Sequence, residues 1–237
     1  MKFAEQAGTR VEPTPKSRAT CPFCGAEVLA KCGTQRVWHW AHKSTRHCDS
    51  WWEPETDWHR KWKELFPTEW QEVGRRDDNG ELHIADVLTP QGLALEFQHS
   101  YIKREEIEIR TNFHKNICWI VDGTRLDSTL TQFVKALEMG RPVGSRGTEV
   151  YQAYLTHSRF LKQWAGLSAP VVVDFGGEKI WVIGNSLETS VLVYPLKKET
   201  LVKQFELGNR PPQVQIEQRR TQYVPLVRSA RVPGRRM

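Results

Sequence analysis

Apolar and polar positions alternate three times in the middle of the chain, and each alternation predicts a short strand. Trp70 to Val73 is the first. Arg75 to Gly80 (RRDDNG) then reads as a turn, with Asn79-Gly80 a strong hairpin signal. Leu82 to Leu88 is the second strand, and Thr89-Pro90-Gln91-Gly92 turns into the third, Leu93 to Gln98. In the third strand Leu93, Leu95 and Phe97 face one side, and Ala94, Glu96 and Gln98 the other. Ahead of these strands, Trp58, Trp62, Leu65 and Phe66 recur at helical spacing after a cap at Thr56 or Asp57, and Pro67 ends the pattern. These tryptophans are expected to pack against the cysteine-rich module described below. After the strands a helix is predicted from about Tyr101 to Lys115, with Ile102, Glu106, Ile109 and Phe113 on one side. Ile117 to Val121 (ICWIV) reads as a buried strand. The order α-β-β-β-α-β predicts an α/β fold: a mixed sheet flanked by helices.

The remainder is less regular. Residues 124–168 read as largely helical, in two segments separated by the loop from Gly140 to Gly147, the second running from Tyr151 to Trp164. Pro170 to Phe175, Lys179 to Ile183 and Val191 to Tyr194 read as strands, with Gly176-Gly177 as a turn, and Lys198 to Leu207 as a last helix. The expected organisation is a flexible leader over 1–18, a small metal module over 19–50, an α/β core over 51–123, its helical and β extension over 124–207, and a tail with little structure over 208–237.

Four of the five cysteines, Cys21, Cys24, Cys32 and Cys48, fall in the first 48 residues. Without a secretory signal or a membrane-length apolar run, the chain is expected in the cytoplasm, where clustered cysteines bind metal more often than they form disulfides. Cys21-Pro-Phe-Cys24-Gly has the form of a zinc knuckle. The second pair of ligands has several candidates: His39, His42, His47, Cys48 and Cys32. His42 with Cys48 is the preferred pair, with His39 as the alternative ligand. Such a closed site is structural, a staple for a segment too short to bury its own core.

Charge changes the picture at the other end. The net charge is +6, and residues 209–237 hold seven arginines against one acid, Glu217, so the rest is close to neutral. Arg219, Arg220, Arg235 and Arg236 belong to this tail, which suits a polyanion such as nucleic acid.

Asp86 and Glu96 lie about ten residues apart, each on a strand, joined by a turn. Carboxylates on a sheet otherwise rich in Leu, Ile and Ala need partners. Mg²⁺ or Mn²⁺ is one such partner, with the carbonyl of Phe97 as a third protein oxygen, and a cation there would activate water toward a phosphoryl group. Gln98 can hydrogen-bond to that water but brings no charge. His59, Glu53 and Lys63 are candidates from the preceding segment for proton transfer or phosphate neutralisation. The alternative is structural ion pairing of Glu96 with Arg104 or Arg110.

Taken together, C-P-x-C-G, H-W-A-H, W-H-x-x-x-K, A-D-V, E-F-Q-x-S, R-T-x-F and W-I-V resemble the competence protein CoiA-like family. The elements run from Cys21 to His42, Trp58 to Lys63, Ala85 to Val87, Glu96 to Ser100, Arg110 to Phe113 and Trp119 to Val121. The resemblance implies a PD-(D/E)xK, restriction-endonuclease-like core with Asp86 and Glu96 as metal ligands. Gln98 then stands where the superfamily usually has Lys, and Ser100, Arg110 and His59 are supporting residues. His83 and Ile84 precede the A-D-V element where an arginine would often stand. The function so implied is a Mg²⁺- or Mn²⁺-dependent endonuclease acting on nucleic acid, DNA before RNA, in DNA uptake, recombination or defence against foreign DNA. A homodimer or a partner protein would suit double-strand cutting. The rival is a non-catalytic, zinc-containing nucleic-acid-binding protein on a degenerate nuclease fold.

Overall fold

A computed structural model describes residues 1–43, 48–144 and 148–214. The chain builds two sheets. The smaller contains β1 (Ala4–Gln6), β2 (Thr9–Val11), β3 (Arg18–Thr20), β4 (Glu27–Lys31) and β5 (His39–His42), all antiparallel, in the order β2-β1-β3-β4-β5. Residues 1–18, expected as a flexible leader, thus provide two full strands and start a third. Their polar composition hides the cause. Phe3 and Ala4 are buried, and the backbone N–H groups of Lys2 and Phe3 donate to the Glu72 carboxylate at 2.7–3.1 Å.

The larger unit runs α1 (Asp57–Lys63), β6 (Gln71–Arg76), β7 (Leu82–Leu88), β8 (Ala94–Gln98), α2 (Arg104–His114), β9 (Ile117–Asp122), α3 (Asp127–Glu138), β10 (Arg141–Pro142), β11 (Tyr151–Tyr154), α4 (Arg159–Trp164), β12 (Val171–Asp174), β13 (Lys179–Ser186), β14 (Ser190–Lys197) and α5 (Lys198–Glu206). Its nine strands lie in the order β10-β11-β14-β13-β12-β9-β8-β7-β6. β9 runs parallel to β8 and β12, and the remaining pairs are antiparallel. The predicted α-β-β-β-α-β order is present, and the segment after it extends the same sheet. One face packs under Ile107 of α2, Phe133 of α3 and Leu161 of α4. The other packs under Trp62 of α1 and Phe205 of α5. Among the described residues no helix is long and apolar enough to cross a membrane.

Three local readings change. Tyr151 to Tyr154 is a strand rather than the start of a helix, because its backbone pairs with β14 from Tyr151↔Val193 to Tyr154↔Ser190; the helix begins only after the Ser158 cap. The inward face of α2 is Ile107, Arg110, Thr111 and His114, while Ile109 is 57% exposed. Trp58 and Trp62 pack on Phe97 and donate their indole N–H groups to Asp174 of β12, rather than packing on the small sheet.

The two sheets are joined at specific points. Phe23, between Cys21 and Cys24, lies over Gly74 of β6 so closely that a Cβ there would meet its ring at 2.8 Å. Arg10 donates to the carbonyls of Thr68 and Gln71, and Arg60 of α1 to that of Trp38.

Candidate active site and metal centre

Three acids stand in register on neighbouring strands. The pairs Gln71↔Val87 and Val73↔Ala85 put Glu72 opposite Asp86, and Val87↔Leu95, carried on by one residue, puts Asp86 opposite Glu96. Strand alternation breaks at this row. Ala85 packs on the α2 side of the sheet and Val87 on the α1 side, and Glu72 takes a left-handed φ of 48°. That conformation is strained for a non-glycine residue and persists where surrounding contacts enforce it. The Asp86 carboxylate accepts the Phe97 N–H at 3.0 Å. A cleft opens at this point, lined by Asp86, Glu96, Gln98, His59, Lys63 and Arg110.

α1 sends a cation into the row. The Thr56–His59 capping box starts the helix and places Lys63 at its last turn, facing inward. Lys63 is 3% exposed, and its Nζ lies 2.6 Å from Glu55, 3.0 Å from Glu72 and 3.6 Å from Asp86. Burial alone would lower its pKa, but Glu72, Glu55 and Asp86 hold it above the ordinary lysine range, so it stays charged. Burial likewise works against an ionised Glu72, but Lys63 and the Lys2 N–H hold that carboxyl well below the usual range. His59 differs from Lys63. Burial pushes its pKa down against the pull of Asp86, and its Nδ1 accepts the Thr56 N–H at 3.3 Å. The Thr56 hydroxyl also lies 2.8 Å from Nδ1.

The segment from Cys48 to Glu53 closes the cleft from above. Asp49 accepts from His83 Nδ1 at 2.9 Å and from the Ile84 N–H at 2.8 Å, two residues before Asp86. Trp51 stacks on His83, and its carbonyl accepts from Arg110 at 3.1 Å. Glu53 accepts from the Gln98 amide at 2.6 Å and from the Ser100 hydroxyl. Gln98 also donates to the Ser100 carbonyl, so its amide nitrogen is committed to these two partners.

Glu96 is held more loosely. Arg110 Nη1 and His114 Nε2, one turn apart on α2, lie 3.9 Å and 3.5 Å from its two oxygens, and the buried Oε1 has no hydrogen-bond partner. Burial and the neighbouring Asp86 push its carboxyl well above the ordinary value, against the pull of Arg110. Burial also raises Asp86, with Lys63 and His59 opposing. Two adjacent acids, one with an orphaned buried oxygen, fit a divalent cation with oxygen preference.

The second centre is sulfur-rich. Cys21 and Cys24 flank the turn before β4, His42 ends β5, and Cys48 follows. Their ligand atoms all lie within 4.8 Å of one another, with Cys21 Sγ 3.7 Å from Cys48 Sγ and Cys24 Sγ 3.3 Å from His42 Nε2. Tetrahedral zinc, with Zn–S of about 2.3 Å and Zn–N of about 2.0 Å, requires separations of roughly 3.8 and 3.5 Å. Burial and the adjacent Cys21 push the Cys48 thiol up to about 12, a repulsion that a bound Zn²⁺ reverses. The preferred pair, His42 with Cys48, is therefore the one brought together. His39 is turned to the Val37 carbonyl, and Cys32 is not in the set. His47 and the tail residues Arg219, Arg220, Arg235 and Arg236 lie outside the described residues. Among the described residues no other group of three or more such donors gathers as tightly.

All five candidate catalytic residues, Asp86, Glu96, Gln98, His59 and Lys63, line the cleft, as do Phe97 and Arg110; Ser100 reaches it through Glu53. Sequence reasoning missed Asp49, Glu55, Glu72 and His114. The tryptophan- and acid-rich W-W-E-P-E run was the available signal for the carboxylates just ahead of α1; Glu72 and His114 carried none.

Comparison with known proteins places these centres in a context. Residues 11–50 match the family described as Competence protein CoiA, N-terminal domain. The chain is 28% identical over 131 residues to Competence protein CoiA of Bacillus subtilis (strain 168), a match covering 50% of this chain and 35% of that protein. The chain thus spans about a third of its relative's length. No solved structure matches significantly. Both matches support the CoiA-like family.

Proposed function

From that CoiA-like kinship, we propose that the chain is a divalent-metal-dependent nuclease that hydrolyses phosphodiester bonds in nucleic acid, with DNA as the first candidate substrate. The core would be of the PD-(D/E)xK, restriction-endonuclease-like kind. The observation that carries this is the Asp86–Glu96 pair lining one cleft, with Glu96 Oε1 buried and without a hydrogen-bond partner. The name of the Bacillus subtilis relative suggests a role in competence, so uptake or recombination of DNA is the setting we favour over defence.

Asp86 and Glu96, with the Phe97 carbonyl, would hold Mg²⁺ or Mn²⁺, which supplies polarisation of a phosphoryl oxygen and a lowered pKa for a bound water. The chain's own residues have separate tasks. Lys63 opposes the burial that raises Asp86 and supplies the positive charge that Gln98 lacks. The Phe97 N–H fixes one Asp86 oxygen. Arg110 and His114 flank Glu96. His59, whose neutral form burial favours, lines the cleft beside Asp86. Gln98 and Ser100 hold Glu53. The Cys21–Cys24–His42–Cys48 zinc centre is structural, and the tail arginines add salt-sensitive phosphate contacts.

The test is cleavage of supercoiled plasmid, single-stranded DNA and RNA with Mg²⁺, Mn²⁺ or EDTA, beside Asp86→Ala and Glu96→Ala. Metal-dependent cutting lost in both variants, with thermal unfolding still cooperative, is the expected result. Equal cutting by wild type and Glu96→Ala would overturn the proposal. The commitment of Gln98 to Glu53 favours the second reading, a non-catalytic nucleic-acid-binding protein on a degenerate nuclease fold, and binding without cutting in any metal would establish it.

A further inference from the structure

The cleft continues beyond the acid row. Past Trp52 and Ile84 it opens into a second chamber of about 230 Å³ under β5, the edge strand of the small sheet. Met1, Asp49, Trp52 and Ile84 line both spaces; Arg36, His39 and Trp40 form the far wall, and the zinc-centre residues His42 and Cys48 close one side. Ile84 precedes Asp86 by two residues on β7, which sets the chamber ~7 Å along the strand from the acid pair.

The approach to this chamber is positively charged. From Val28 to Lys43 the sequence holds Lys31, Arg36 and Lys43 and no acid. Lys43 pairs with Glu27, whereas Lys31 and Arg36 are exposed and make no ion pair among the described residues. Trp38, on the same hairpin, is 46% exposed. Its position is fixed, because its indole N–H donates to the Gly33 carbonyl at 3.1 Å and its own carbonyl accepts from Arg60 at 2.9 Å. Trp52, at the entrance, is 38% exposed. The exposed Lys31 and Arg36, the part-exposed indoles of Trp38 and Trp52, and a chamber walled by Trp40 and Trp52 combine backbone attraction with base stacking, which is how single strands are bound.

We infer that a single strand of nucleic acid crosses the β4–β5 hairpin, places one unstacked base in the chamber beside Trp52, and presents the adjoining phosphate to Asp86 and Glu96. The last step rests on the nuclease reading; the track itself does not. A duplex would have to release a base to use the same chamber.

The test uses the full chain carrying Glu96→Ala, in EDTA, with a fluorescein-labelled oligonucleotide as single-stranded DNA, single-stranded RNA or duplex DNA. Single strands of either sugar are expected to bind at least about tenfold more tightly than duplex, with tryptophan emission quenched on binding. Trp52→Ala and Trp38→Ala should each weaken single-strand binding about tenfold, and Trp52→Phe should restore most of it. Arg36→Ala should lower the salt slope by about one unit. Equal affinity for duplex, or unchanged binding in both Trp52→Ala and Arg36→Ala, would overturn the inference. Single-strand binding without cutting by the wild type in Mg²⁺ or Mn²⁺ upholds the track and sinks the nuclease. Cutting confined to duplex does the reverse.

Discussion

Gln98 donates its side-chain amide to Glu53 Oε1 at 2.6 Å, joining the segment that leaves the cysteine centre to the strand that carries Glu96. Glu53 thereby fixes the height of the Cys48–Glu53 segment over the cleft. Glu53→Ala should reduce single-turnover cleavage by about tenfold to a hundredfold through lost positioning. It should leave stability within about 1 kcal/mol, because the residue is partly exposed. Unchanged single-turnover rates would show that the contact positions nothing.

Lys63 is the buried cation among Glu55, Glu72 and Asp86. Removing it leaves three carboxylates facing one another without compensation. Lys63→Ala should destabilise the protein by about 3–5 kcal/mol, measured by urea unfolding at neutral pH. A loss under about 1 kcal/mol would mean that the surface around Lys63 is wetter than its burial indicates.

Glu72 sets an acid limit. Its carboxyl is held below the ordinary range in the folded chain, so the unfolded chain binds a proton first as pH falls. The stability it contributes is present above the usual glutamate value of about 4.3 and is lost progressively below it. Wild type should therefore be clearly more stable than Glu72→Gln at pH 7, and the gap should narrow through the acid range. A gap that stays constant from pH 7 to pH 3 would contradict this linkage.

Freshly reduced protein should contain one zinc per chain by elemental analysis. Structural zinc sites of this type bind with on the order of 10 kcal/mol at neutral pH. Cys24→Ser should therefore lower both zinc content and the melting midpoint. The same metal content in Cys24→Ser and wild type would remove Cys24 from the ligand set.

Much of this arrangement was legible in the sequence, for identifiable reasons. Period-two alternation and the Asn79-Gly80 turn announced β7 and β8, and with them Asp86 and Glu96. The C-x-x-C and H-W-A-H spacings narrowed the zinc ligands to the set that converges. What failed depended on long-range partners. The N-terminal segment looks like polar leader because the partner of the Lys2 and Phe3 backbone, Glu72, lies about 70 residues on. Arg110 and His114 replace the predicted apolar face of α2 because Trp51 and Glu96 are there to meet them. Tyr151 and Tyr154 fit a helical pattern until β14 offers a free edge.

The Lys2–Glu72 contact joins residues 70 positions apart, whereas Cys24 and His42 are 18 apart and Cys21 and Cys48 are 27 apart. Loop-closure entropy makes the short connections the early ones. On a growing chain the cysteine hairpin can close, and take its metal, while β6 is still unmade. The backbone of Lys2 and Phe3 finds its partner only once Glu72 of β6 is in place. Sequence separation thus sets apart the two local centres, sulfur ligands and acid row, from the N-terminal strand, whose attachment to Glu72 spans the longest loop of the three.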